Sequence, residues 1–323
     1  MILHMNKVKK VAYYNMPGDV SYEESLLKEW NISDLELDLI KGNDPKTDLK
    51  GYQGLVTEYT LFPRELLKQL PDLKIISLQS IGYDEIDVKA AREFGIDVTN
   101  APGYCAEDVA LHAMALLLSL TRQIPLFNAQ THEGKWDCFA GRTMHRLSGK
   151  RAGLISFGNI PQKVAPMLKG FDIQVSAFDP GRSAEFMAQQ GVEKCDTLEQ
   201  LLETSDFVFL HTPLFPATYH MINAQTLAHM KPDALIINVS RGSLIDEPAL
   251  IQALKEQRLA GAGLDVLEDE KKRGTELFSF PNVIITPHAG FLSEESLKQS
   301  RQMALKQLVK RLALDEKPAL LVN

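Results

Sequence analysis

A-G-L-I-S-F-G-N-I-P-Q-K-V-A, residues 152–165, reads as a short apolar strand that runs through a tight turn into a helix. A dinucleotide-binding turn in this setting carries G-x-G-x-x-G, and the three positions here hold Ser156, Gly158 and Pro161. Only the middle glycine is kept, and by pattern alone one glycine after a strand is weak support. The physics of the turn is less affected. Gly158 still lets the backbone approach a pyrophosphate, and Asn159 and Ile160 still offer N–H groups to an anion at a helix start. Pro161 falls in the first helical turn, where a missing N–H is tolerated and φ is preset. Ser156 removes the most flexible turn residue, so the loop is expected to differ slightly in shape. Asp179 ends the next apolar run, 174–178, and lies 21 residues beyond Gly158. That spacing suits a carboxylate on the adenosine ribose. The carboxylate repels a 2′-phosphate, so NAD is expected over NADP, with Arg182 nearby softening the preference.

Working outward, further apolar runs at 207–211, 234–239, 261–266 and 283–286 make six expected strands with helical stretches between them. That alternation implies a doubly wound parallel sheet. An earlier series at 8–14, 54–57, 74–78 and 96–99 has the same character. The expected fold class is therefore α/β with two doubly wound parallel-sheet domains. Between the series lies A-E-D-V-A-L-H-A-M-A-L-L-L-S-L-T-R, residues 106–122, apolar nearly all round and so expected to be buried on most sides. Pro102, Gly103 and Pro125 punctuate its ends, and a domain boundary is expected near it.

The chain has 323 residues, enough for two domains, and a formal charge of −7, a poor match to nucleic acid or an anionic membrane. The run 268–273 (E-D-E-K-K-R) is mixed in sign and does not change this. Three cysteines, Cys105, Cys138 and Cys195, form no CxxC pair and no metal spacing, as expected in a reducing compartment. The start, M-I-L-H-M-N-K-V-K-K, has too short an apolar stretch for a signal peptide, and no run is long enough to span a bilayer. A soluble, cytoplasmic protein is expected, with no metal, no nucleic acid and no membrane.

Three residues at strand ends carry the chemistry: Arg241 in N-V-S-R-G-S, Glu270 in L-D-V-L-E-D-E and His288 in T-P-H-A-G. They supply a fixed cation, a carboxylate and a titratable imidazole. Together these suffice to bind a 2-oxo acid and move a proton while a cofactor moves the hydride.

With these segments in view, the chain resembles the NAD-dependent D-isomer-specific 2-hydroxyacid dehydrogenases. The resemblance covers nearly all of it. It rests on residues 210–246, which open L-H-T-P-L-F-P-A-T-Y and close I-I-N-V-S-R-G-S-L-I-D, on A-G-A-G-L-D-V-L-E-D-E (260–270) and on I-I-T-P-H-A-G (284–290). Upstream, S-I-G-Y-D-E-I-D (80–87) and G-I-D-V-T-N-A-P-G-Y (95–104) match the family's substrate-domain segments.

The resemblance implies a discontinuous, flavodoxin-like substrate domain (1–101 with 291–323) and a Rossmann NAD-binding domain (102–290). It implies a homodimer, with the Trp136 region among the contacts. Arg241 would bind the substrate carboxylate and carbonyl, a planar bidentate task that lysine does not reproduce. His288 would be the acid/base. Glu270, five residues beyond Asp265, would accept from the other His288 nitrogen, hold the tautomer and raise the imidazole pKa. Glu268 and Asp269 are adjacent and compete with it for that role. Ile81 and Gly82 resemble the segment whose amides hold the carboxylate. Thr212, Pro213 and Ser240 resemble cofactor contacts, and Asp265 the contact to the nicotinamide carboxamide. Tyr104 and Phe291 are candidate pocket walls.

Several positions depart from the family pattern. Besides Ser156 and Pro161, Leu111 stands where an acid often precedes the histidine, and Lys271 where proline often follows the catalytic Glu. H-A-G-F-L-S-E-E-S (288–296) is closer to the branch with C-terminal-binding-protein-like members. The leading reading is an oxidoreductase interconverting a small 2-oxo acid and its D-2-hydroxy acid with NAD(H). The alternative is an NAD(H)-sensing, corepressor-like binding protein on the same fold. A third reading, NAD-dependent formate or phosphonate oxidation, has no added segment to mark it.

Overall fold

The computed structural model describes residues 8–58, 60–271 and 274–323. Most of the N-terminal stretch weighed above as a leader, and Lys272 and Arg273 of the mixed-sign run, lie outside the described residues. The chain separates into two compact units, Met1–Tyr104 with Ser293–Asn323, and Cys105–Leu292. The crossover points fall slightly later than expected, at 104 rather than 101 and at 292 rather than 290.

The first unit is built on five parallel strands: β1 (Lys9–Tyr14), β2 (Leu35–Ile40), β3 (Gly54–Val56), β4 (Ile75–Ser77) and β5 (Asp97–Thr99). Their order is β2-β1-β3-β4-β5, the flavodoxin-like arrangement. Both faces are covered. Val11, Tyr13, Val56 and Ile75 pack on one side, and Ala12, Tyr14, Leu55 and Ile76 on the other. This is why these strands read as continuous apolar runs. β2 was not among the expected strands: L-E-L-D-L alternates, as suits an edge with one face in water, and has no apolar run. The last helix, Glu294–Leu308, lies on the sheet at Gly54, where a Cβ would meet Leu308 and Leu312 at about 3 Å. Ser77 Oγ donates to the Ala304 carbonyl at 3.0 Å, and Val322 N–H to the Val98 carbonyl at 2.9 Å. These contacts tie the C-terminal segment into the unit that the N-terminal segment began.

The second unit has seven parallel strands: β6 (Arg151–Ile155), β7 (Gln174–Phe178), β8 (Glu193–Lys194), β9 (Phe207–Leu210), β10 (Leu235–Asn238), β11 (Gly261–Leu264) and β12 (Val283–Ile285). Their order is β12-β11-β10-β9-β6-β7-β8. Six were expected; the seventh, β8, is a two-residue edge too short to leave a pattern. The chain reverses direction across the sheet between β6 and β9, and the carboxyl ends there form the crevice where doubly wound sheets take ligands.

The helix Ala106–Arg122 packs on β10 and β11 of the same unit. Gly263 permits the close approach, since a Cβ there would touch Leu116 at 3.0 Å. Burial is less complete than expected, with Leu111 63% exposed. The helix ends at Gln123 in left-handed backbone and turns by 62° into Ile124–His132. No single helix among the described residues is long and apolar enough to cross a membrane.

Candidate active site

Arg241, Glu270 and His288 all lie in the second unit. Each follows the carboxyl end of one of three adjacent strands, β10, β11 and β12. Parallel pairing of β10 with β11 and of β11 with β12 therefore brings three sequence-distant segments to one sheet edge.

His288 is held first by its backbone. It has φ +54°, left-handed for a non-glycine residue, a conformation that costs on the order of 1–3 kcal/mol unless the surroundings impose it. They do. The His288 N–H donates to the Asp265 carbonyl at 2.8 Å. The Asp265 carboxylate accepts from Ala289 N at 2.8 Å, Gly290 N at 2.8 Å and Thr286 Oγ1 at 2.6 Å. A Cβ on Gly290 would come within 2.8 Å of Asp265 Oδ2. Burial alone would raise the Asp265 pKa. The hydrogen bonds from His112, Thr286, Ala289 and Gly290 outweigh it and hold the carboxyl below its usual range.

The imidazole then meets Glu270. His288 Nδ1 lies 3.0 Å from Oε1 and 3.1 Å from Oε2. An ionised carboxylate only accepts, so Nδ1 carries the proton and Nε2 is left for chemistry. The structure also separates Glu270 from its neighbours. Glu268 accepts from His220 Nε2 at 2.7 Å and Tyr219 OH at 3.3 Å, while Asp269 accepts from Lys271 N at 3.1 Å. Phe291, a candidate wall, stands edge-on to the His288 ring with centroids 6.4 Å apart.

Arg241 is placed by a residue that sequence reasoning missed. Asn238 is buried at the end of β10; its Nδ2 donates to the Arg241 carbonyl at 2.9 Å and its Oδ1 accepts from Ser240 N at 3.1 Å. Ser240 Oγ donates to the Leu210 carbonyl at 3.0 Å. Gly242 was missed as well. A Cβ there would overlap the Leu267 carbonyl at 1.9 Å and the Glu268 nitrogen at 2.3 Å, so the loops bearing Arg241 and Glu270 touch backbone to backbone.

At the glycine turn, Ser156 has φ +76°, the conformation for which a glycine is expected. Phe157 N donates to Asp179 Oδ2 at 2.8 Å and Ser156 Oγ to the same oxygen at 3.3 Å, while Gly181 N donates to Oδ1 at 2.8 Å. Both Asp179 oxygens therefore serve the turn itself. Pro161 opens the helix Pro161–Gly170, and Asn159 and Ile160 precede it. A Cβ on Gly158 would meet nothing within 4 Å, so the space in front of the turn is open to a pyrophosphate. These residues fit a dinucleotide. Thr212 is nearly buried, and Pro213 offers its carbonyl to Thr218 Oγ1 at 2.8 Å. His211 beside them was also missed. It is buried, neither ring nitrogen has a partner among the described residues, and burial pushes its pKa down to about 3.

Ile81, Gly82 and Tyr104 belong to the first unit. The Ile81 and Gly82 carbonyls accept from Asn100 Nδ2 and Ser80 Oγ, each at 2.8 Å, which fixes the turn after β4. Tyr104 is buried.

The family model for the NAD-binding domain of D-isomer specific 2-hydroxyacid dehydrogenases matches residues 114–290. The chain belongs to that family. Glyoxylate reductase of Thermococcus litoralis is 40% identical over 306 residues, spanning 89% of this chain and 90% of the relative. Hydroxypyruvate reductase of Blautia hydrogenotrophica is 35% identical over 260 residues, spanning 78% and 80%. Among solved structures, the NAD-complexed D-isomer specific 2-hydroxyacid dehydrogenase of Lactobacillus delbrueckii ssp. bulgaricus superimposes with a TM-score of 0.80 at 28% identity, covering 98% of this chain and 100% of that one. The protein is thus an NAD-dependent oxidoreductase acting between a D-2-hydroxy acid and its 2-oxo acid. For this dehydrogenase the altered glycine turn is no bar to membership, since the family model matches straight through it.

Proposed function

We propose that this dehydrogenase reduces a small 2-oxo acid of glyoxylate or hydroxypyruvate size, with His288 as proton donor, Glu270 as its orienting carboxylate and Arg241 as the anchor for the acid. The observation that carries the reading is the His288–Glu270 contact on a loop whose backbone Asp265 fixes. The nicotinamide of bound NADH supplies the hydride to C2. His288 gives the proton on Nε2 to the 2-oxo oxygen, and the imidazole left behind keeps its Nδ1–H on Glu270. Arg241 supplies a planar fork for the carboxylate and the carbonyl oxygen. In the first unit, the Ile81–Gly82 turn is the proposed carboxylate-binding turn and Tyr104 a proposed pocket wall.

For the cofactor, the turn of Gly158, Asn159 and Ile160 takes the pyrophosphate and Asp179 the adenosine ribose, which favours NAD over NADP. Thr212, Pro213 and Ser240 line the dinucleotide path, and Asp265 contacts the carboxamide. A cytoplasmic homodimer is part of the reading. It is supported by a run of exposed apolar side chains after the helix bend, with Trp136 94% and Phe139 88% exposed in the single chain.

NADH oxidation against glyoxylate, hydroxypyruvate and pyruvate tests the reading. Wild type turns over at least one of them. His288→Ala and Arg241→Ala each lose about 10²- to 10⁴-fold in kcat/KM, while NADH fluorescence shows binding retained. Near-normal rates in both variants would falsify the mechanism. No turnover of any acid by wild type with NADH bound leaves the sensor reading standing instead.

A further inference from the structure

We infer that His112 is a positioning residue for the reaction, acting on His288 through Thr286 and Asp265; the inference rests on the reading of His288 as proton donor. His112 sits on the helix Ala106–Arg122, in the segment V-A-L-H, and takes no part in the chemistry derived above.

The hydrogen bonds settle its role by elimination. Thr286 has one hydroxyl proton, and at 2.6 Å from Asp265 Oδ1 that proton goes to the carboxylate, which only accepts. Thr286 Oγ1 then accepts from His112 Nε2 at 2.9 Å. The same Nε2–H lies 3.3 Å from Asp265 Oδ1. His112 therefore carries its proton on Nε2, aimed at the point where the hydroxyl and the carboxylate meet.

Asp265 is 2% exposed, and His112 is the one titratable side chain in contact with its carboxylate among the described residues. The carboxylate in turn orders Ala289 and Gly290, and the Asp265 carbonyl orders His288 itself. The line runs from a packed helix to a left-handed loop residue, and a rigid element is the better anchor for a functional side chain. Removing the Nε2–H leaves the Thr286 oxygen and one carboxylate lone pair unserved. The carboxylate is then free to rotate and the loop to relax. A displacement of about 1 Å at a reacting group costs on the order of 10²-fold in rate.

The test compares His112→Leu, His112→Gln and His288→Ala in the full chain, using NADH and whichever acid of the panel above is turned over fastest. Gln places an N–H near the Nε2 position, and Leu fills the space without one. The expected result is a kcat lowered about 10- to 100-fold in His112→Leu, with KM for the acid changed less than about threefold, and kcat recovered to within about fivefold in His112→Gln. A merely structural role would lower kcat equally in both, and that result overturns the inference, as does a kcat within about twofold of wild type in His112→Leu. Should the Leu variant fail to fold, His112→Asn replaces it, because its shorter amide stops short of Thr286; the same loss is expected and its absence is again decisive. His288→Ala keeps the two readings apart. If it stays active, the proton-donor assignment fails; if it is dead while His112→Leu is normal, only the inference about His112 fails.

Discussion

Two loops of the second unit hold a non-glycine residue in left-handed backbone, and the carboxylates that brace them differ in burial, Asp265 being 2% exposed and Asp179 only half-buried. At His288 the conformation is over-determined, with its own N–H and the next two amides all bound by Asp265. At Ser156 its own N–H donates to the Phe178 carbonyl and Phe157 N to Asp179 Oδ2, each at 2.8 Å, and the Ser156 hydroxyl adds a 3.3 Å bond to that carboxylate, which is only half-buried and also takes the Gly181 amide. The difference matches what each loop is proposed to do. An acid/base group has to sit within a fraction of an ångström of its reacting atom, so strain there is imposed by a buried network. A loop that receives a pyrophosphate on backbone amides tolerates more play, because the anion itself completes its order.

The comparison is open to attack at both loops. The largest effect is expected at Asp265→Asn, which turns an acceptor into a donor against the Gly290 amide. It should destabilise the protein by about 3 kcal/mol and lower kcat about 100-fold, read by denaturant unfolding and steady-state kinetics. The pH sense is fixed by the lowered Asp265 pKa. In wild type this contribution is complete above the ordinary Asp value of about 3.9 and is lost as pH falls through the depressed folded value. The variant should lack that acid limb, and an unchanged acid limb would remove Asp265 from the centre of the loop.

Next comes Gly158→Ala. Its Cβ enters open space, so Tm should move by no more than about 1 °C, while the NADH Kd rises about tenfold as the methyl intrudes on the pyrophosphate. Tight NADH binding in this variant would place the pyrophosphate elsewhere. The smallest effect is expected at Ser156→Gly: relief of positive φ against the loss of one long hydrogen bond, for a net gain of roughly 0.5 kcal/mol and a Kd changed less than about threefold. Destabilisation by more than about 1 kcal/mol would mean that the Asp179 bond outweighs the strain and that the two loops are alike after all.

Much of this was legible in the chain. Both parallel sheets followed from apolar runs, because strands covered on both faces cannot hide them. β2 and β8 escaped for the converse reason, one alternating on an edge and the other only two residues long. Arg241 and His288 stood out as a fixed cation and a titratable ring just after such runs. The spacing from Asp265 already favoured Glu270 over Glu268 and Asp269; the partners that separate them came with folding, His288 for one and the Tyr219–His220 pair for another. The orienting shell was least visible. Asp265 reads as a cofactor contact by position, yet its carboxylate is largely committed to the loop after β12. His112, Asn238 and Thr286 are ordinary polar residues in apolar segments until their hydrogen bonds are seen. Only Gly242 left a trace, as a small residue directly after a candidate anchor.

That glycine has a mechanical consequence. With no side chain, residue 242 lets the turn after β10 lie flush on the turn after β11. Arg241, the proposed substrate anchor, and Glu270, the carboxylate proposed to steady the proton donor, thus sit on two turns that abut. They travel together or not at all, and whatever flexing accompanies turnover has its pivot outside the pair. A bulkier residue at 242 would wedge the two turns apart and detune the imidazole from a distance, without touching any group that meets substrate.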